Sequence, residues 1–265
     1  MKIIHLSSDV SVAVEPIFAQ QLKDENTILI FLHEALGSIA QWKSFPQELC
    51  NAMQLNGIVY ERQGHGSSSK LNHERNEHYL HNYAFLELPK LLEKILSPEK
   101  KVVLVGHSDG ASIALLFASR YPKNVLGVVS MAAHVIVEDI TLKGIAPAIT
   151  AFEAKKLEGL RKYHGEKTDE LFYAWANTWN LPSFRDWNIC NEISSITCPV
   201  LALQGKNDQY GSEQQLLLIK EHVKGKTNLK MIENCGHHPH LEKQEVLIEE
   251  IVKWYNSSIE TEAFN

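Results

Sequence analysis

The sequence predicts an α/β fold, with a mostly parallel central sheet, helices on both faces and one inserted helical unit. Three observations carry this. Short runs rich in Val, Ile and Leu recur along the chain, stretches with helical spacing lie between them, and the stretch from about His134 to Ile196 interrupts the alternation with helical fragments alone. Near-continuous apolarity marks strands covered on both faces. Alternation of such strands with helices long enough to cross over argues for parallel pairing.

Taken in order, the strand runs are Thr27 to His33, Gly57 to Glu61, Lys101 to His107, Val125 to Ala133, Val200 to Gln204 and Asn228 to Ile232. The helical runs are Tyr79 to Leu96, Ala111 to Tyr121, Glu213 to His222 and Val246 to Tyr255. The insertion carries Trp175, Trp179 and Trp187, is punctuated by Pro147, Gly165 and Pro182, and ends before Cys198-Pro199, where the strand pattern returns. Residues 1–133 and 197–265 are thus expected to form the core domain and residues 134–196 a helical cap, with no strand pair within it. The tail from Ser257 to Asn265 is polar and is expected to fray.

With 265 residues, 44% of them hydrophobic and 22% charged, the chain can bury a core of domain size. Its formal charge of −6 and lack of any long basic block speak against nucleic acid as a partner. No segment reaches the roughly 18 apolar residues of a membrane span, and the N-terminus lacks a signal-peptide pattern. Cys50, Cys190, Cys198 and Cys235 have no CxxC spacing, so they suggest neither a disulfide framework nor a zinc site. A cytoplasmic protein acting on a small molecule, without nucleic-acid or membrane partners, is expected. Oligomeric state is not legible in the sequence.

The chemistry centres on Gly106-His107-Ser108-Asp109-Gly110, a G-x-S-x-G string directly after an apolar strand and directly before a helical run. A sharp strand-to-helix turn exposes the central serine and needs small flanking residues. Only that central side chain is thrust out, which favours Ser108 over Asp109 as nucleophile. Serine needs a base, and the base needs an orienting group. Asp208 stands in the loop after one later strand and His237 in the loop after the next, giving the order Ser, Asp, His.

Other readings compete at several positions. His238 and His240 rival His237, and a His-His-x-His cluster could suggest metal, although the triad already accounts for one of these rings. His73, His78 and His81 read as solvent-facing, and His134 as either a pocket group or a core hydrogen-bonding group. Trp175 and Trp179, four apart, share a helix face that either packs or meets substrate.

From Thr27 to about Tyr255 the chain resembles the α/β-hydrolases that carry a helical cap, including their carboxylesterase, pimeloyl-acyl-carrier-protein methyl esterase and carbon–carbon hydrolase branches. The resemblance rests on residues 31–38 (FLHEALGS), 60–68 (YERQGHGSS), 106–110 (GHSDG), 204–208 (QGKND) and 236–242 (GHHPHLE). It implies Ser108 as nucleophile, Asp208 as acid and His237 as base, with the backbone amides of Ala35 and Asp109 forming an oxyanion hole. It further implies a pocket drawing on His33, Glu34, His134, Trp175 and Trp179, and no cofactor. The expected reaction is hydrolysis of a carboxylic ester, lactone or thioester. Carbon–carbon hydrolysis of a ring-cleavage type diketone and non-catalytic ligand sensing are the alternatives.

This chain departs from the common pattern in three places. Glu34 stands where Gly usually follows the loop histidine, Asp109 replaces an apolar residue, and Glu61-Arg62-Gln63-Gly64 replaces Asp-x-Arg-Gly. Two free carboxylates would oppose an oxyanion. At least one should therefore be paired, with Arg62 the first candidate partner and His134 the second.

Overall fold

Eight strands form one sheet in the computed structural model, which describes residues 1–260. They are β1 (Lys2–His5), β2 (Ser11–Ile17), β3 (Thr27–Leu32), β4 (Asn56–Glu61), β5 (Lys101–His107), β6 (Val125–Met131), β7 (Val200–Gly205) and β8 (Thr227–Ile232), in the spatial order β1-β2-β4-β3-β5-β6-β7-β8. From β4 through β8 all neighbours pair in parallel, whereas β1 and β2 form an antiparallel edge. This edge is absent from the sequence-based reading. β1 is largely exposed, and β2 contains Pro16, so neither has the continuous apolar signature of the buried strands.

The helices are α1 (Phe45–Met53), α2 (Tyr79–Asn82), α3 (Leu88–Ile95) and α4 (Asp109–Arg120) in the first half. Between β6 and β7 come α5 (Asp139–Glu153), α6 (Arg161–His164), α7 (Thr168–Trp179) and α8 (Cys190–Ile193). The chain continues with α9 (Glu213–His222), α10 (Pro239–Glu242) and α11 (Gln244–Tyr255). The helical run anticipated from Tyr79 is not regular: a π-helical turn at Tyr83–Glu87 joins α2 to α3 just before Pro89, which has no N–H to donate back into that turn. The segment between β6 and β7 contributes no strand to the sheet, and its one bridge pairs Ile136 with Asn188.

Alternate residues of the central strands feed two apolar layers. Ile30, Leu32 and Leu104 point into one with α4, while Leu29, Phe31, Val103 and Val105 point into the other with α1 and α11. Phe172, Trp175, Trp179, Phe184 and Trp187 of the inserted segment belong to the first layer, so that segment shares a core with the sheet.

The expected fraying from Ser257 is corrected as far as Glu260. Residues Asn256–Glu260 form a π-helical turn with Ser258 and Ile259 buried, and Ile259 packs over Gly127 of β6. The rest of the tail, 261–265, lies outside the described residues. Among the described residues no helix is long and apolar enough to cross a membrane.

Candidate active site

Ser108 joins β5 to α4 with φ 53 and ψ −120, a conformation that few side chains adopt and that lifts the hydroxyl out of the turn. Its neighbours explain the glycines. A Cβ on Gly106 would lie 2.4 Å from the Gly110 carbonyl oxygen, and one on Gly110 would lie 1.9 Å from that of Leu32. Two hydrogen bonds hold the turn, from the Ser108 amide to Met131 O at 2.9 Å and from the Ala111 amide to Ser108 O at 2.8 Å.

Loops after β7 and β8 bring the partners to the same carboxyl edge of the sheet. The Ser108 hydroxyl lies 3.0 Å from His237 Nε2, and His237 Nδ1 lies 2.9 and 2.8 Å from the two oxygens of Asp208. A carboxylate on Nδ1 fixes that nitrogen as the donor and leaves Nε2 to accept from the serine. Asp208 also accepts from Gln204 Nε2 at 2.6 Å and from the Tyr210 amide at 2.8 Å. Burial pushes its carboxyl up, but the His237 contact and the Tyr210 amide outweigh that and hold it below the ordinary aspartate value. The base loop is secured from below by His107, whose Nε2 donates to His237 O at 2.7 Å. His238 makes no such pair: its amide bonds Glu242 and its ring lies beside that of His237.

Ala35 follows β3, and Asp109 is the first residue of α4, so its amide has no acceptor within that helix. Arg62, with no exposed surface, donates to the carbonyl of His33 and, at 2.9 Å, to that of Glu34. The Glu34 carbonyl and the Ala35 N–H belong to one trans peptide unit and point in opposite directions. Fixing the carbonyl on Arg62 therefore turns the Ala35 N–H away from the arginine, and Ala35 borders the same cavity as Ser108.

Both unusual carboxylates have partners. Asp109 accepts from Tyr79 Oη at 2.8 Å and lies 4.0 Å from the Arg62 guanidinium. Glu34 accepts from the Leu36 amide at 2.6 Å. Burial raises the pKa of both, against the opposing pull of Arg62 and the Tyr79 bond at Asp109 and of the Leu36 amide at Glu34. His134 pairs with neither; its backbone exchanges hydrogen bonds with Ser112 and its ring packs 5.0 Å from that of Trp179.

A cavity of about 260 Å³ opens over Ser108 and His237. Glu34, His134, Trp175 and Trp179 line it, together with apolar Ile145, Leu157 and Leu160 of the inserted segment. His33 does not. Its buried ring donates from Nδ1 to Glu34 O at 2.7 Å and accepts the Arg62 amide on Nε2 at 3.1 Å, so both nitrogens are spent within the loop. Burial, then the charge of Arg62, pushes the pKa of this ring well below the ordinary histidine value. His81 is a second correction. It packs against Phe85 and Trp187 with its side chain 18% exposed, whereas His73 and His78 face solvent.

The sequence reading missed Tyr79, Tyr210, Arg75 and Glu87. Tyr79 links the elbow to the inserted segment, because its hydroxyl also accepts from Trp179 Nε1 at 2.8 Å. Arg75 lies over the rings of Tyr79 and Tyr83, and Glu87 accepts the Gln63 amide at 3.0 Å. Among the described residues no three His, Cys, Asp or Glu side chains are arranged to hold a metal ion.

Residues 27–157 match the family model for the alpha/beta hydrolase fold. The human serine hydrolase BPHL is 30% identical over 153 residues, which are 54% of this chain and 50% of that protein. A proline iminopeptidase of Saccharolobus solfataricus is 22% identical over 270 residues, spanning 87% of this chain and 85% of that protein. Among solved structures, a carboxylesterase of the thaumarchaeon Nitrososphaera gargenis superposes with a TM-score of 0.77 at 17% identity, covering 98% of this chain and 100% of that one. With its elbow and both partner loops gathered at one sheet edge, this chain shares the α/β-hydrolase fold with the family that its residues 27–157 match.

Proposed function

We propose that the protein is a serine hydrolase that cleaves a small-molecule carboxylic ester, lactone or thioester through an acyl-enzyme. The observation that carries this reading is the continuous relay from Ser108 Oγ through His237 to Asp208, at 3.0 and 2.8 Å, beneath a cavity with apolar walls.

Ser108 attacks the carbonyl carbon as its proton passes to His237 Nε2. Asp208 holds the imidazole in position and stabilises its charged form. The oxyanion of the tetrahedral intermediate meets the amides of Ala35 and Asp109 at the positive end of α4, the kind of donor whose loss typically costs roughly 100- to 1000-fold in rate. Collapse expels the alcohol or thiol, protonated by His237, and leaves the acyl group on Ser108. Water, deprotonated by the same histidine, then releases the acid.

Carbon–carbon cleavage of a diketone is less well supported. Of the three polar groups that could assist it, Glu34 and His134 border the cavity but Arg62 is committed to loop carbonyls beneath it.

A panel of ester, lactone, thioester, diketone and proline anilide substrates, run with wild type and Ser108→Ala, tests the reading. Esters should be hydrolysed fastest. Ser108→Ala should abolish turnover and fluorophosphonate labelling while unfolding at nearly the wild-type temperature. Retention of more than a trace of activity by the variant would overturn the nucleophile assignment, and preference for the anilide or diketone would overturn the substrate class.

A further inference from the structure

The inserted segment grips the carboxyl edge of the sheet through His164 and Lys167, neither of which takes part in the proposed mechanism. His164, 2% exposed, is the last residue of α6, and Gly165 with φ 57 ends the helix there. Its Nδ1 accepts the Gly66 amide at 3.0 Å, and its Nε2 lies 2.8 Å from the carbonyl oxygen of Leu36. A backbone N–H can only donate, so the ring proton sits on Nε2 and is given to Leu36. One neutral ring thereby joins the inserted segment to two loops of the core, the one after β3 and the one after β4. Burial pushes its pKa below the ordinary histidine value, in favour of that form, against the pull of the Leu36 bond. Lys167 adds bonds from Nζ to the carbonyls of His65, at 3.1 Å, and Ser68 in the second loop.

The Leu36 carbonyl and the Gly37 N–H belong to one trans peptide unit and point in opposite directions. With the carbonyl on His164, the Gly37 N–H faces the Glu34 carbonyl and donates to it at 3.1 Å. That carbonyl shares its own peptide unit with the Ala35 N–H, the donor proposed for the oxyanion hole. We propose that His164 is a positioning residue for the oxyanion hole, through which the inserted segment sets the direction of the Ala35 N–H. The inference rests on the serine-hydrolase reading. Core side chains hold the other carbonyls of this loop, Arg62 those of His33 and Glu34, and His65 Nε2 that of Ala35 at 3.0 Å. Of the four, the Leu36 carbonyl is the one held from the inserted segment. Leu157 and Leu160, which wall the cavity, stand just before α6. An acyl chain lying on them steadies the helix that carries His164, so part of its binding energy is expressed in kcat rather than in KM.

Two substitutions separate the two bonds. The amide oxygen of asparagine falls near the place of Nδ1 and the amide nitrogen of glutamine near that of Nε2. His164→Asn therefore keeps the acceptor for Gly66 and loses the donor to Leu36, whereas His164→Gln does the reverse. Both are assayed on p-nitrophenyl acetate and p-nitrophenyl butyrate, and with butylboronic acid, whose tetrahedral adduct on Ser108 places an oxygen in the hole. His164→Asn should lower kcat for the butyrate by about tenfold to a hundredfold and move KM by less than about threefold, as for an interaction realised only in the transition state. Inhibition by butylboronic acid should weaken by the same factor as kcat, and any gain in kcat from acetate to butyrate should vanish. His164→Gln should recover most of the loss. Equal losses in the two variants, no loss in either, or a loss confined to KM or to melting temperature would leave the residue a purely structural role and overturn the inference. If wild type cleaves neither ester, the rate of fluorophosphonate labelling, which needs the same hole and no particular substrate, takes the place of kcat. Slower labelling of His164→Asn than of His164→Gln then supports the inference, and equal labelling overturns it. A wild type that is not labelled at all shows instead that the serine-hydrolase reading is wrong, and the inference falls with it.

Discussion

Asp208 and Asp109 are both buried, beside His237 and Ser108 respectively, and both accept a hydrogen bond of 2.8 Å, yet their environments differ in kind. The partner of Asp208 is an imidazole, which in the proposed mechanism gains a proton from Ser108. Asp109 is bound to a tyrosine and faced by an arginine, neither of which exchanges protons near neutrality. The pKa of Asp208 is pulled down and that of Asp109 pushed up. In the proposed mechanism this favours full charge where an imidazolium would form and disfavours it beside the oxyanion. What a carboxylate does in a buried site follows from whether its partner can change charge.

Three measurements would break or sharpen this contrast. The largest effect is expected from Asp208→Asn, which should lower kcat/KM by about 10,000-fold through the wrong imidazole tautomer, as in the serine proteases. Asp109→Asn should cost less than about tenfold in the same assay, because the hole uses its backbone amide rather than its side chain. Equal losses would erase the distinction.

Tyr79→Phe comes next. It removes the hydroxyl that serves both Asp109 and Trp179, leaving a buried carboxylate and a buried indole N–H each short of a partner. Urea unfolding should report a loss of about 1–3 kcal/mol, and activity should fall only a few-fold. Wild-type stability in this variant would show that the network is dispensable.

The smallest effect is a pH dependence from the far end of the network. Burial, opposed by the Gln63 amide and then by Arg62 and Arg75, raises Glu87 from 4.5 to about 7. The folded protein therefore holds this proton more tightly than the unfolded chain, so its contribution to stability is full below pH 4.5 and is lost as pH rises through about 7. Glu87→Gln removes that loss. Its melting temperature relative to wild type should climb between pH 4.5 and 7 and then level off, and a constant difference across the range would disprove the assignment.

The chemistry was more legible in the sequence than the scaffolding around it. Ser108 and Asp208 are readable because each follows a strongly apolar strand, and His237 because it follows an edge strand, TNLKMI, that mixes polar and apolar residues; parallel strands deliver their ends to one edge. Four of the five anticipated pocket residues reach the cavity for a related reason, since they lie on loops at that edge or on one face of α7. His33 fails because its neighbour Arg62 takes the carbonyls of the loop and the ring closes around the same arginine, a contact between residues 29 apart with no local signature. Tyr79 was invisible for the same reason, since its hydroxyl meets Asp109 and Trp179, 30 and 100 residues away, and the role of Arg75 arises where a π-helical turn brings Tyr83 beneath it. α1 was missed although Pro46 stands at the start of its first turn, because its buried face has no strand-like run to set it off.

The bond between Trp179 and Tyr79 gives the molecule an optical property. One face of the Trp179 indole borders the cavity over Ser108, and its N–H is tied, through Tyr79, to the residue beside the nucleophile. Its excited state therefore samples the occupancy of the cavity and the integrity of the tie at the same time. Among the five tryptophans of the chain, Trp175 shares the cavity without the tie, so emission from the two indoles, isolated by substituting the others with phenylalanine, separates filling of the cavity from displacement of the helix that roofs it.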